Sequence, residues 1–401
     1  MSGELLPIGR RVAYWRGRRR MSQQVFADRL GKSKSWVDKV ERGARSLDKV
    51  STIVDVAAVL GIDQSVLLGR DTRIDGAGGR PEGVERIRET LSTYDVVLGR
   101  RASGRDVSST AQVARTVEHA WTTYQYARYP HLIRALPELL TAAQRGHALD
   151  PSTGRGPLVE AYRVTASLLV KLDEGELAWL AADRAMAFAV GDPALVAAAA
   201  VQLVQVLRST GRARLAASTS RSAAYRIAPP DLDGESPACL SLCGTLLVQA
   251  ALAAAGHGDE RTARALLGEA ADLAARVGEG RDHYRTAFGP AAVAAARMSA
   301  AVACGDGGDA VVWHHQVVSG EGWRWLPVEH RAAYLIDAAR AHLQVGDPVS
   351  AARIVLEAER TAPAEVRHRP AARDVLAQLI RSPDAPTTVV QLAAALGVSG
   401  V

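Results

Sequence analysis

Three observations predict an all-α fold, with a small N-terminal helical domain and a long helical array after it. Apolar residues recur at helical spacing, as in Ile8, Val12 and Trp15, or in Val50, Ile53, Val54, Ala57 and Leu60. Alanine is dense in the second half, in Ala197–Ala200 and along Ala250–Ala255. It loses no side-chain entropy in a helix, whereas the strand-favouring Tyr and Phe number only 9 and 3 in 401 residues. Breaks between periodic segments fall at Gly-Asp, Gly-His or Pro, as in Gly191-Asp192-Pro193, Gly256-His257-Gly258-Asp259 and Gly346-Asp347-Pro348.

In the first seventy residues the pattern draws five short helices. The first covers Ile8–Arg19. Ser22 is an N-cap for a second that ends at Gly31, and Ser33 caps a third, Lys34–Glu41, closed by Gly43. A fourth covers Leu47–Leu60 and a fifth Gln64–Leu67. The spacing around Gly31 carries most of the information. Phe26, Ala27 and Leu30 form the inner side of one helix and Val37 and Val40 that of the next, with small Ala27 where they cross. Two such helices joined by a tight turn have the geometry of a helix-turn-helix, whose second helix enters the major groove.

The run from Met21 to Gly43 also resembles the lambda-repressor-like, or xenobiotic-response-element type, helix-turn-helix family. The matching residues are Ser22, Gln23, Ala27, Leu30, Gly31, Ser33, Val37, Val40, Glu41 and Gly43; Phe26 and Trp36 depart from the pattern. The resemblance covers residues 8–69. It implies that Lys34, Ser35 and Lys39 touch base edges, where an amine can donate to guanine O6 or N7 and a hydroxyl can donate or accept. Gln23 and Ser33, near helix N-termini, suit phosphate oxygens, and Arg16, Arg42 and Arg45 are the candidate basic phosphate clamps. Trp15, Trp36 and Phe26 are packing residues, and Glu41 is structural, bridging to a neighbouring basic group. One module reads only a few base pairs, so a homodimer on a palindromic double-stranded DNA operator is expected.

The charge agrees. Residues 1–70 hold 14 Lys/Arg against 7 Asp/Glu, and the rest hold 35 against 36, so the whole +6 excess sits in the N-terminal sixth. A basic face can equally serve solubility.

Residues 1–70 are therefore read as a DNA-binding domain and 71–83, with four glycines and Pro81, as a linker. Residues 84–401 are read as a helical sensor and dimerisation domain. Its helices are drawn at Val84–Leu98, Ser109–Tyr129, Pro130–Gly146, Gly156–Leu172, Glu176–Val190, Pro193–Ser209, Gly211–Tyr225, Ser236–Ala255, Asp259–Val277 and Gly289–Ala303. Segment His330–Val366, with Tyr334, Ala338, Ala339, Leu343, Gly346, Asp347, Ala351 and Ala352, resembles a tetratricopeptide repeat; Glu176–Ser209 and Leu246–Gly278 are looser matches. An ordinary all-α bundle is the competing architecture. Such arrays offer a groove for a peptide, a protein segment or a small ligand. The pairing of the two domains resembles Gram-positive regulators that sense secreted peptides, and the Ala, Arg and Gly content resembles actinobacterial ones.

Two aromatic neighbourhoods stand out. Trp121, Tyr124, Tyr126 and Tyr129 fall on one expected helix, where Trp121 and Tyr124 either lock early helices together or form one wall of a pocket. Trp313, His314, His315, Trp323 and Trp325 either line a ligand cavity or staple an irregular connection. His314-His315 lacks the spacing of a helical metal pair, and Cys239, Cys243 and Cys304 read as small core residues, so neither metal nor cofactor is expected. No phosphate loop, dinucleotide fingerprint, nucleophile elbow or zinc-protease motif occurs, which argues against an enzyme. No window reaches 18 uninterrupted apolar residues and no signal-peptide pattern opens the chain, so no membrane partner and a cytoplasmic location are expected. The function these readings predict is a DNA-binding transcriptional regulator with an effector-sensing array. The alternative is a helical-repeat scaffold with a vestigial DNA-binding module.

Overall fold

The structure, a computed structural model, describes residues 8–45, 47, 50–60, 67, 82–93, 109–229, 234–382 and 385–398. The described residues are helical throughout, with connecting turns. Contacts divide the chain into two compact units, residues 83–372 and residues 1–82 together with 373–401.

In the unit that holds the N-terminus, α1 (Ile8–Arg18), α2 (Gln23–Leu30), α3 (Lys34–Glu41) and α4 (Val50–Leu60) enclose one small core. Val12, Trp15, Phe26, Ala27, Val37, Val40, Ile53, Val56 and Leu60 are buried in it, and Trp36 packs against its edge. The helix expected at Leu47–Leu60 is seen as Val50–Leu60; most of the one expected at Gln64–Leu67 lies outside the described residues, as does the linker up to residue 81. Sequence reasoning missed one close approach. A methyl group placed on Gly9 of α1 would sit 2.0 Å from the Val40 carbonyl oxygen of α3, so only glycine lets these backbones meet.

The larger unit runs α5 (Glu82–Ser92), α6 (Thr110–Gln125), α7 (Tyr129–Leu149), α8 (Pro151–Lys171), α9 (Gly175–Ala189), α10 (Pro193–Ser209), α11 (Ala213–Ile227), α12 (Pro237–Gly256), α13 (Glu260–Val277), α14 (Pro290–Cys304), α15 (Gly307–Ser319), α16 (Val328–Gln344), α17 (Pro348–Thr361) and α18 (Pro363–His368). Short 3-10 turns at His283–Arg285 and Glu321–Trp325 interrupt it. Two further helices, α19 (Pro370–Leu379) and α20 (Thr387–Ala395), follow. From α6 to α18 the packing is regular. Each even-numbered helix touches the next helix in the chain and also the next but one, so the even-numbered helices form a continuous layer covered by the odd-numbered ones. In addition, α16 packs back on α6.

The composition follows from this layering. A helix covered on several sides is apolar all round and needs small residues for close approach. In α10, Ala197–Ala200 are all buried, and in α12 so are Ala250, Ala251 and Ala253–Ala255. By length and composition α12 and the segment His283–Cys304 are apolar enough to cross a membrane; 78% of the α12 window is buried inside the protein, as befits a core helix. Cys243 is buried and all three cysteines are free thiols. Burial pushes the Cys243 thiol up to about 11.

Several boundaries correct the sequence reading. The helix expected at Gly156–Leu172 starts at Pro151. Asp150 accepts hydrogen bonds from the Ser152 and Thr153 amides at 3.0 and 3.3 Å, and Pro151 opens the helix, so Gly154, Gly156 and Pro157 fall inside it. The helix expected at Ser109–Tyr129 ends at Gln125. Ala127 takes a left-handed conformation, φ 53°, and Tyr129 begins α7. Glu82 and Gly83, read as linker, already belong to α5, and Tyr94 lies outside the described residues. The unit His330–Val366 contains α16, a Gly346-Asp347 turn and α17, whose Ser350 amide donates to Asp347 at 2.9 Å.

Candidate functional site

The turn between α2 and α3 is built from local chemistry. The Ser22 hydroxyl accepts from the Val25 amide at 3.2 Å and starts α2. Gly31, φ 62°, reverses the chain while the Lys32 amide donates to the Ala27 carbonyl at 2.9 Å. Ser33 then accepts from the Trp36 amide at 3.1 Å and starts α3. Ala27, fully buried, lies where the two helices cross.

On α3 the split between faces is sharp. Val37 and Val40 are buried while Lys34, Ser35 and Lys39 are exposed, and Ser35 and Lys39 are four apart on one face. Exposed Lys32 adds an amine at the turn that sequence reasoning did not single out. Asp38 pairs with Arg42 one turn later, an exposed contact. Arg45 is exposed, and its amide donates to the Lys39 carbonyl at 3.0 Å.

Two residues assigned to phosphates face inward. Arg16 grips Glu41 with Nε at 2.5 Å and Nη2 at 3.0 Å, while its Nη1 donates to the Met21 carbonyl at 2.6 Å. Gln23 Nε2 donates to the same Glu41 carboxylate at 2.9 Å. One buried carboxylate thus joins α1, the start of α2 and the end of α3, which fixes the pitch at which α3 is presented. Ser33 is occupied as a cap. The basic partner expected for Glu41 is therefore Arg16. Arg11 and Arg19 are also turned to carbonyls, Leu67 at 2.7 Å and Leu60 at 2.9 Å.

Most of the two aromatic sets of the larger unit is spent on packing. Trp121 is buried, edge-on to Tyr124, and donates from its indole nitrogen to Glu160 at 2.8 Å, with the Arg163 guanidinium 5.4 Å from its ring centre. Arg163 itself is fully buried. It donates to Gln202 at 2.8 Å and to the Tyr284 carbonyl at 2.9 Å. Trp121 and Tyr124 are thus both buried among helices. His314 is buried, stacked on Tyr334 with Nδ1 3.2 Å from its hydroxyl; Trp323 meets the same ring edge-on, and Arg297 lies over Trp313. Burial, then His342 nearby, pulls the His314 imidazole down to about 4. Trp325 of the second set and Tyr126 of the first line one cavity of about 300 Å³, together with Gln125, Arg281, Arg324 and Arg331.

A second buried constellation had no sequence signal. Lys171 at the end of α8 meets Glu329 of α16 at 2.6 Å and Glu365 of α18 at 2.8 Å. Glu365 also accepts from the Tyr129 hydroxyl and from Arg369 at 3.0 Å, and His330 reaches Glu329 at 3.0 Å. Burial pushes the Glu329 carboxyl up, but His330 and Lys171 more than offset this and hold it below the ordinary carboxylate range. Burial and the two glutamates hold the Tyr129 hydroxyl well above its usual range, so it stays a donor. These contacts tie helices at the two ends of the layered unit. Among the described residues no group of three or more His, Cys, Asp or Glu side chains is placed to hold a metal ion.

Residues 7–68 match a family described as a helix-turn-helix domain. No curated protein and no solved structure matches the chain.

Proposed function

We propose that this chain, which carries a helix-turn-helix domain at residues 7–68, is a sequence-specific DNA-binding transcriptional regulator. In this reading its helical-repeat region mediates dimerisation and senses a peptide or small-molecule effector, without catalysis, and the protein works in the cytoplasm on a palindromic operator. The observation that carries the reading is the outward row Lys34, Ser35 and Lys39 on a helix whose other face is buried and whose pitch is fixed by the Arg16–Glu41–Gln23 contacts. Amines and a hydroxyl so placed suit base edges, with Lys32, Arg42 and Arg45 around them for phosphates. The paired helices of α6–α18, with the Gly-Asp turn at Gly346-Asp347, support the likeness to tetratricopeptide repeats and to lambda-repressor-like sensors.

The test is a mobility shift with DNA selected from a random-sequence pool. The wild-type chain is expected to select a two-fold symmetric site. The variant Lys34→Ala/Lys39→Ala is expected to keep its melting temperature and lose at least roughly tenfold of its preference for that site. If the pool yields no preferred sequence with the folded wild-type protein, the regulator reading falls and the scaffold reading takes its place.

A further inference from the structure

The cavity beside the 3-10 turn Glu321–Trp325 has a chemistry that its protein neighbours do not satisfy. Two large aromatic side chains line it while remaining exposed, Tyr126 at 57% and Trp325 at 52%. Its two acids are already occupied. Glu279 accepts from the Ala291 amide at 2.8 Å, and Asp282 accepts from Gln125 at 2.9 Å and from the Ala287 amide at 3.0 Å. Its three arginines outnumber its two acids. Arg281 and Arg324 form no ion pair among the described residues, and the buried Nε of Arg331 has no hydrogen-bond partner. A guanidinium that lines a cavity can donate two parallel hydrogen bonds to a carboxylate placed there. The wall between α13 and α14 is held in a sparsely populated conformation, with Tyr284, Arg285 and Ala287 at φ 51°, 59° and 47°.

We propose that this cavity binds an organic carboxylate bearing a planar apolar group, its ring against Trp325 and Tyr126 and its carboxylate on Arg331, Arg281 and Arg324. The proposal deepens the effector-sensing part of the function above and rests on it. The volume, about 300 Å³, suits a small aromatic acid or the last residue of a peptide. Arg324, stacked 5.3 Å from the Trp325 ring centre, gives the aromatic wall a cationic edge, and Arg128 does the same for Tyr126 at 5.5 Å.

The experiment is titration calorimetry of the full chain with N-acetyl-phenylalanine, its C-terminal amide and the tripeptide Ala-Ala-Phe as free acid. The acid is expected to saturate and to bind about tenfold or more tightly than the amide. Arg331→Gln is expected to abolish that difference, and Arg324→Gln, at an exposed side chain, to reduce it. Trp325→Ala is expected to weaken acid and amide alike. Tighter binding of the tripeptide than of the small acid assigns the carboxylate to a chain terminus; the reverse assigns it to a free metabolite, and both support the site. Equal binding of acid and amide, absence of saturation with all three probes, or a preference that survives in both arginine variants overturns it. The mobility shift is read on the same preparation. Loss of carboxylate binding with DNA selection intact overturns the site alone, and the converse overturns the regulator reading alone.

Discussion

Replacing Glu365 by glutamine tests whether the buried ion cluster holds the larger unit together. The carboxylate is fully buried and accepts from Lys171, Arg369 and Tyr129. The amide keeps the shape and can still accept from Tyr129, so the loss is confined to the two cations. A hydrogen bond to a charged group contributes about 1.5–3 kcal/mol when buried, which describes Lys171, whose side chain is 13% exposed. Arg369 is 30% exposed and can turn to water, so its share is discounted to about 0.5–1 kcal/mol. The expected destabilisation is therefore about 2–4 kcal/mol, or a fall in melting temperature of roughly 3–7 °C for a unit of this size. Urea denaturation of the full chain, followed by circular dichroism, measures it. The double variant Lys171→Met/Glu365→Gln is expected to cost clearly less than the sum of the two single changes, because neither charge is then left alone. A single-variant loss below about 0.5 kcal/mol, or strict additivity in the cycle, would refute the reasoning.

Three other outcomes follow from the geometry. Gly9→Ala is expected to destabilise the N-terminal unit by about 1–3 kcal/mol, since the methyl group meets the Val40 carbonyl at 2.0 Å; a thermal melt that matches the wild type would contradict this. Glu41→Gln removes the carboxylate that Arg16 and Gln23 share, at a cost of about 1–3 kcal/mol. It should accelerate amide exchange in α3 and lower DNA affinity, and unchanged α3 protection would count against a positioning role. For His314 the folded value, about 4, lies below the ordinary 6.5, so its contribution is fully present above 6.5 and is lost as pH falls towards 4. Melting temperature should therefore drop less between pH 7 and 5 in His314→Gln than in the wild type; equal slopes would sink the assignment.

What the sequence disclosed was local. Ser22, Gly31 and Ser33 each act within four residues of themselves, and the turn they specify is the one observed. The all-α class followed from alanine density and period in the same way. Contacts between distant residues were invisible. Glu41 read as bridging to a neighbouring basic group, yet its partner Arg16 lies 25 positions away and carried the same charge signal as a phosphate clamp. Lys171 and Glu329 stand 158 positions apart, and nothing near either marks it as buried. The misplaced start of α8 has a different cause: Gly154, Gly156 and Pro157 are ordinary break signals, outweighed here by the Asp150 cap and by burial of the helix among its neighbours. Ala127 ended α6 in a left-handed conformation that alanine gives no hint of.

The inward arginines of the N-terminal unit change how its electrostatics should scale. Arg11, Arg16 and Arg19 are directed at carbonyls or at Glu41, so they condense few anions from solution and release few mobile ions from a polyanion. The steepness of binding against salt concentration tracks the cations that reach phosphates, not the formal count along the chain. On the proposed reading, that steepness is expected to follow Lys32, Arg42 and Arg45, a fraction of the basic side chains the first seventy residues contain.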